Sequence, residues 1–282
     1  MNFDFEWQTQ DQLTLRGKCW LPGSERPQGL LCLIHGFGEH IGRYEHVAQF
    51  FNQHEIGLIG FDQRGHGRSD GKRGVVPSYE SLLVNITEFL ALTYSKFPEV
   101  PLYLYGHSMG GNIATTYLLR EQPRIIKAGI ITSPWYELTN QPPKLTVSLG
   151  KMISNLYPSF TVSSAIIPED LSSDLTVGKK YMEDPLVHNK MGGTLFTGVS
   201  NAGLWILENT DKLVHPLLMM HGKADNVTSQ KSSEKFARKA PKGLLKYKAW
   251  NGMRHELHNE LIKEKALQYI LDFLEEVQEP QV

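Results

Sequence analysis

The sequence predicts an α/β protein, with a mostly parallel sheet covered by helices on both faces and interrupted once by a helical insertion. Three observations carry this expectation. Short apolar runs at 30–34, 56–61, 102–105 and 125–132 alternate with stretches whose apolar residues recur at helical spacing. The links between them are short, which calls for parallel strands joined by right-handed crossovers. The runs are also apolar almost throughout, as strands buried on both faces must be.

Taken in order, the chain opens with a hairpin. Phe3, Phe5 and Trp7 alternate with polar residues, and 13–21 alternates less cleanly around Gly17. The buried run 30–34 ends in His35-Gly36. A helix over 43–52 carries Tyr44, Val47, Phe50 and Phe51 on one face, and the strand 56–61 ends at Asp62. A longer helix over 79–97 is marked by Leu82, Leu83, Ile86, Phe89 and Leu90; strand 102–105, helix 112–120 and strand 125–132 follow.

The rhythm breaks at 134–213, a segment rich in Pro, Ser, Asn and Thr. It holds two amphipathic stretches, Leu145/Leu149/Met152/Ile153/Leu156 and Leu195/Phe196/Val199/Ala202/Ile206/Leu207. An insertion of this length inside a regular core reads as a cap. Its apolar stripes either line a channel for an alkyl chain or form ordinary core. Strand 216–221, helix 229–238, strand 244–250 and a final helix over 257–276 resume the alternation. The division expected is therefore 1–133 and 214–282 as one core, with 134–213 as the cap.

Composition narrows the function classes. The chain has 282 residues, 40% hydrophobic and 21% charged, with a formal net charge of −1. A nucleic-acid binder would show a basic surplus, so no nucleic-acid partner is expected. Two cysteines, Cys19 and Cys32, each sit in a strand-like run and read as buried thiols rather than a disulfide framework. The N-terminal stretch lacks the basic-then-apolar pattern of a secretory signal, and no run of about 18 apolar residues occurs. A soluble, cytoplasmic protein is the expectation; oligomeric state is not legible.

Gly106-His107-Ser108-Met109-Gly110 matches G-x-S-x-G. So short a pattern arises easily by chance, but here it directly follows an apolar strand and directly precedes a helix, as its mechanics require. A serine on such a turn sits in strained backbone, so the residues two away on either side must be glycine. A serine hydroxyl also needs a positioned base, and the base an orienting acid. The acid belongs after a late strand, where His221-Gly222-Lys223-Ala224-Asp225 selects Asp225. The base belongs after the last strand, where His255 follows a glycine turn and His258 stands as the alternative, one turn into the next helix. His35, His107 and His221 end strands on the same rim. They read as supports for the catalytic side chains or as substrate contacts. The backbone N–H groups of Met109 and Phe37, the latter between Gly36 and Gly38, are the candidate oxyanion donors.

These residues resemble one family closely. His35-Gly-Phe-Gly-Glu-His40-Ile-Gly-Arg-Tyr44, Phe61-Asp-Gln-Arg-Gly-His-Gly-Arg-Ser69, Gly106-His-Ser-Met-Gly-Gly111 and Arg254-His-Glu-Leu-His-Asn-Glu260 look like the monoacylglycerol lipase and lysophospholipase group of α/β-hydrolases. The resemblance implies an α/β-hydrolase fold with an eight-stranded sheet, a lipid-facing cap that admits transient membrane or micelle contact, and no cofactor or metal. It also implies hydrolysis of single-chain acyl glycerols through an acyl-enzyme, with Glu39, Arg43, His107 and His258 around the glycerol head group. Phe37 stands where mammalian members often have a small residue. From spacing alone, Glu39 and Arg43 at i, i+4 equally suit a surface ion pair. Lysophospholipase or general carboxylesterase activity is the rival within the enzyme class. A non-catalytic binding protein on the same scaffold is the rival outside it.

Overall fold

Strand runs this apolar have one stable solution, burial in the middle of a sheet with helices on either side. The computed structural model describes residues 2–23, 26–143, 156–157, 159–164 and 166–278. Its main sheet is built from β1 (Asn2–Gln8), β2 (Thr14–Trp20), β3 (Gly29–Ile34), β4 (Ile56–Phe61), β5 (Leu102–His107), β6 (Ile126–Thr132), β9 (Leu217–Gly222) and β10 (Leu245–Trp250). The eight strands lie in the order β1-β2-β4-β3-β5-β6-β9-β10. β2 pairs antiparallel with both β1 and β4, and every other neighbouring pair is parallel.

Alternate side chains of each inner strand feed two cores. On one face Leu30, Cys32, Leu102 and Leu104 meet α2 (Glu80–Lys96) and α3 (Met109–Glu121). On the other, Leu31, Leu33, Tyr103 and Tyr105 meet α1 (Glu45–Asn52) and the last helix, α7 (Lys263–Gln278). Cys19 and Cys32 are free and buried, as their strand positions predict, and burial pushes the Cys19 thiol up to about 12.

Between β6 and β9 lie a two-stranded ribbon, β7 (Thr161–Ser163) with β8 (Lys190–Gly192), and two helices, α4 (Leu175–Glu183) and α5 (Gly193–Glu208). Neither the ribbon nor α4 is foreseen by the sequence reading. Of the first amphipathic stretch, Leu145, Leu149, Met152 and Ile153 lie outside the described residues, and Leu156 is exposed. The second stretch is α5. Its Leu195, Val199, Ala202 and Ile206 join the α2–α3 core cluster, so this stripe packs as core. α6 (Gln230–Lys239) begins at Ser229, whose side chain accepts the Ser232 N–H.

The expected final helix starts later than the sequence suggests. Residues 257–259 form a separate 3-10 turn, and the helix proper begins at Lys263. The buried Glu260 carboxylate explains the break. It accepts backbone N–H groups from Arg254 at 2.6 Å and Ser173 at 3.1 Å, which holds the chain extended there. His258 therefore sits in a turn before the helix, not one turn inside it.

The loops that carry the sequence motifs leave the carboxyl ends of parallel strands. β3 leads to Gly36, β5 to Ser108, β9 to Asp225 and β10 to His255. β3 has β4 on one side and β5 on the other, so strand order reverses there and opens the crevice in which such sheets bind ligands. Asp62, after β4, fixes the neighbouring loop by accepting the Ile41 and Arg68 N–H groups at 2.9 and 2.7 Å.

Candidate active site

Ser108 stands between β5 and α3 with φ +54° and ψ −117°, a conformation an L-residue adopts only under constraint. Its N–H donates to Thr132 O at 3.0 Å, while its own carbonyl accepts from Asn112 at 3.0 Å and Trp135 at 2.9 Å. The turn is so tight that a Cβ on Gly106 would come 2.5 Å from Gly110 O, and one on Gly110 2.0 Å from Ile34 O. Both glycines are thus required by contact, as the motif predicts. The Met109 N–H opens α3, where helix geometry leaves it without an intrahelical acceptor.

The three expected side chains meet. Ser108 Oγ lies 2.9 Å from His255 Nε2, and His255 Nδ1 lies 2.8 Å from Asp225 Oδ2. Asp225 is fully engaged. Its Oδ1 accepts the N–H groups of Val227 and Thr228 at 2.8 and 2.9 Å, and its Oδ2 also accepts from His221 Nε2 at 3.0 Å. The Thr228 hydroxyl lies 3.0 Å from both Asp225 Oδ2 and Ser133 O. Burial acts to raise the Asp225 pKa, but His255, His221 and these bonds hold it far below the carboxylate range. Burial likewise acts to lower that of His255, and the facing Asp225 charge more than offsets it, holding the imidazole above its ordinary 6.5. Of the two histidines left open by the sequence, His255 is the one that reaches Ser108.

His258 lies elsewhere in the site. It is buried, stacks on Tyr44 at 4.6 Å, and meets the His107 ring edge-on at 4.8 Å. Neither of its ring nitrogens has a hydrogen-bond partner among the described residues. His107 bonds through Nδ1 to Thr132 Oγ1 at 3.1 Å, and its ring lies 4.9 Å from that of His255. Burial pushes both His107 and His258 well below the ordinary histidine value, His107 crowded further by His255 and His258 by His107. His35 turns under the first loop, its Nδ1 2.7 Å from Gly36 O, and His221 backs Asp225.

Glu39 and Arg43 do form an ion pair, at 2.7 Å, but not a surface one. Their side chains are only 3% and 10% exposed, and Arg43 also makes two 2.7 Å bonds to Glu256. Glu39 further accepts the Gly36 N–H at 2.6 Å and the Tyr44 hydroxyl at 2.8 Å. This carboxylate is therefore a strut beneath the Gly36 loop. A Cβ on Gly36 would sit 2.8 Å from Glu39 Oε1, 3.2 Å from Ser108 Cβ and 3.4 Å from His107 Cδ2, which measures how closely these groups converge. Glu256, Thr228 and Glu260 are the site residues that sequence reasoning gave no role. Glu256 adjoins His255, and that adjacency was the one signal available for it.

Two buried carboxylates share the Arg43 guanidinium. Burial acts to raise both; the paired Arg43 bonds win for Glu256, held at about 2, whereas burial wins for Glu39, held above its ordinary value. Removing the cation leaves both charges uncompensated, a loss of about 3–5 kcal/mol in comparable cases. Arg43→Met is thus expected to destabilise strongly at pH 8. The deficit should shrink towards pH 5, because carboxylates with raised native pKa values bind protons before the unfolded chain does. Urea unfolding at the two pH values measures this; an equal deficit at both would mean that lost packing, not charge, is responsible.

The geometry can be set beside known proteins. A family model described as serine aminopeptidase, S33, matches residues 25–262. An uncharacterized abhydrolase domain-containing protein of Dictyostelium discoideum is 37% identical over 95% of this chain, which spans only 28% of that relative. A monoacylglycerol lipase of Mycolicibacterium smegmatis is 30% identical over 86% of this chain and 85% of the relative. The crystal structure of the Paleococcus ferrophilus monoacylglycerol lipase superposes with a TM-score of 0.82 at 25% identity, covering 99% and 100% of the two chains. A monoglyceride lipase from Saccharomyces cerevisiae, in complex with a substrate analog, gives a TM-score of 0.88 at 22% identity over 98% and 96%. With its fold and its serine–histidine–aspartate geometry, the chain belongs to the serine aminopeptidase S33 family, in the monoacylglycerol lipase group of the α/β-hydrolase superfamily.

Proposed function

We propose that this protein hydrolyses carboxylic esters of single-chain acyl glycerols, with Ser108 as nucleophile, His255 as base and Asp225 as its orienting acid. One observation carries the reading: an unbroken hydrogen-bond relay from Ser108 Oγ through both nitrogens of His255 to a buried, ionised Asp225. Both other contacts of His221 Nε2 are acceptors or shared hydroxyls, so it carries a proton toward Asp225. Asp225 Oδ2 in turn fixes the His255 tautomer with hydrogen on Nδ1, leaving Nε2 free to take the serine proton.

In the first half-reaction the Ser108 oxygen adds to the ester carbonyl as its proton passes to His255 Nε2. The tetrahedral oxyanion is met by the Met109 N–H, at the positive end of α3, and by the Phe37 N–H, which has no acceptor among the described residues. Collapse expels the glycerol alcohol, which takes the proton from His255 and leaves an acyl-serine. Water, deprotonated by the same imidazole, then releases the fatty acid. Ser108→Ala is expected to keep the fold while lowering kcat by at least about 10⁴-fold, by analogy with other triads. Retention of full esterase turnover would remove Ser108 from the mechanism.

The base works only when neutral. Because the Asp225 charge holds His255 above 6.5, kcat/KM should fall tenfold per pH unit on the acid side, with a midpoint above that value. A flat profile from pH 5 to 8 would exclude a histidine base.

The names of the relatives support a monoacylglycerol, and so do the unpartnered His258 nitrogens, suited to a hydroxyl, on a ring that meets His107 edge-on. The family description speaks of aminopeptidases, which need a free carboxylate for the substrate ammonium. Glu39 and Glu256, beside this site, are both bound to Arg43, and the Asp170 carboxylate accepts from Asn226, which favours an uncharged ester. We read 134–213 as the cap; its exposed Leu156, Tyr157, Ile167, Leu175 and Met182 suit contact with lipid, and no described helix is long and apolar enough to cross a membrane. A turnover panel of monoacylglycerols, lysophosphatidylcholines and short p-nitrophenyl esters tests the substrate. The expected result is a preference for monoacylglycerol, with kcat/KM rising about three- to fourfold per added CH₂ until the channel is filled. Equal or better turnover of lysophosphatidylcholine would reassign the head group.

A further inference from the structure

The loop that carries the Phe37 N–H is gripped from two sides. From the core, Glu39 Oε1 accepts the Gly36 N–H at 2.6 Å, and His35 Nδ1 lies 2.7 Å from Gly36 O. His35 Nε2 accepts the Gln63 N–H, so the His35 proton sits on Nδ1 and is donated to Gly36 O. From the segment before β8, the His188 N–H donates to Gly38 O at 2.9 Å. Gly38 has φ +75°, and a Cβ there would come 2.4 Å from His188 O. The Phe37 ring fills the space between two imidazoles, edge-on to His66 at 5.8 Å and to His188 at 5.5 Å.

His188 is itself fixed. Its Nδ1 accepts the Lys190 N–H at 3.2 Å, which puts the ring proton on Nε2, 3.0 Å from Gly65 O. The loop after β4 therefore holds the ring that holds Phe37. Next to it, the Gly192 N–H donates to Gly74 O at 2.9 Å, docking the whole 188–192 stretch on the same loop.

We propose that the His188 ring is a positioning group for oxyanion stabilisation: edge-on to the Phe37 ring, beside the backbone bond from His188 N–H to Gly38 O that every variant keeps, it sets the direction of the Phe37 N–H toward the Ser108 acyl centre. The inference rests on the serine-hydrolase reading above. It assigns to the insertion a part in the chemical step, separate from any contact with the acyl chain. The Phe37 side chain then has a function of its own. A small residue at 37 would supply the same N–H without the aromatic clamp that aims it.

The test uses His188→Ala and His188→Gln with p-nitrophenyl butyrate, a substrate too short to depend on a lipid channel. Complete loss of one oxyanion donor costs about 10²–10³-fold in kcat. Misdirecting one is expected to cost about 10–100-fold, with KM within about twofold, because the donor bonds the transition state and not the ground state. Affinity for an alkyl boronic acid, which forms a tetrahedral adduct on the serine, should fall in parallel with kcat. His188→Gln, whose amide reaches the Nε2 position, should recover part of both. The acid-side midpoint of the pH profile should stay where it is, since His255 is held by other residues.

Unchanged kcat and boronate affinity in a folded His188→Ala protein would overturn the proposal, and so would a rise in KM alone, the mark of a substrate contact. Should His188→Ala fail to fold by circular dichroism, His188→Gln and Phe37→Leu carry the same readouts; wild-type kcat and boronate affinity in both would overturn it. Ser108→Ala, assayed alongside, separates this failure from the deeper one. Activity there removes the serine reading itself, whereas an inert Ser108→Ala beside a fully active His188→Ala removes only the role of His188.

Discussion

Everything at this site depends on one strained residue. Ser108 is held at φ +54° and ψ −117°, although such a sparsely populated conformation costs a non-glycine residue about 1–3 kcal/mol. The strain persists because the backbone there is over-determined. Its N–H is tied to β6 through Thr132 O, its carbonyl to α3 and to Trp135, and the flanking glycines let strand, helix and the end of β3 close to within contact. A relaxed Ser108 would have to break these bonds or push α3 off the sheet. The result is a hydroxyl raised above the sheet edge, with a helix N-terminus beneath it, in a place where loops from β3, β9 and β10 all arrive.

The second constraint is electrostatic. Two buried charge systems flank Ser108: Asp225 with its histidines, and Arg43 between Glu39 and Glu256. At 2.8 Å and an effective dielectric of 20 a charge pair gains about 6 kcal/mol, but desolvation costs several kcal/mol per ion. Such networks therefore contribute little net stability. What they supply is direction. Asp225 receives bonds on both oxygens and has one orientation left, which fixes the plane of His255. Arg43 bonds Glu256, the residue after His255, and also Glu39, which holds the Gly36 loop. One guanidinium thereby links the His255 loop to the Gly36 loop, with Arg43 and Glu256 213 residues apart in the chain.

What the sequence disclosed follows from where its information is local. The buried strands β3, β4, β5 and β9 were legible because each is apolar nearly from end to end and closed by Gly, Asp or His, and Ser108 because strand, motif and helix abut. Asp225 and His255 followed from chain order along the strands. The ribbon β7–β8 and α4 were not legible. Each is short, and α4 exposes Leu175 and Met182 while burying Tyr181, so no clean apolar stripe marks it. The late start of α7 was hidden because Glu260 ends the preceding turn through backbone bonds to Ser173 and Arg254, partners that no helical pattern reveals. For the same reason Arg43 looked like half of a surface pair, its second carboxylate lying far along the chain.

These contacts bear on how such an enzyme could change its substrate. An insertion that merely covered a finished site would be free to vary. Here, segment 169–174 supplies the Leu171 carbonyl to the Glu256 N–H at 2.7 Å, and the Asp170 carboxylate to Asn226, next to Asp225, at 2.9 Å. Segment 184–192 meets the opposite side: Asp184 bonds His40 at 2.8 Å, and His188 bonds Gly38. Through these two internal segments the stretch between β6 and β9 touches the loops that carry Asp225, His255 and Gly36. Divergence away from those anchor segments leaves the backbone bonds at the rim intact. On the proposed mechanism, a substitution at an anchor acts on the rate of the chemical step, whereas one away from the anchors acts on what is bound.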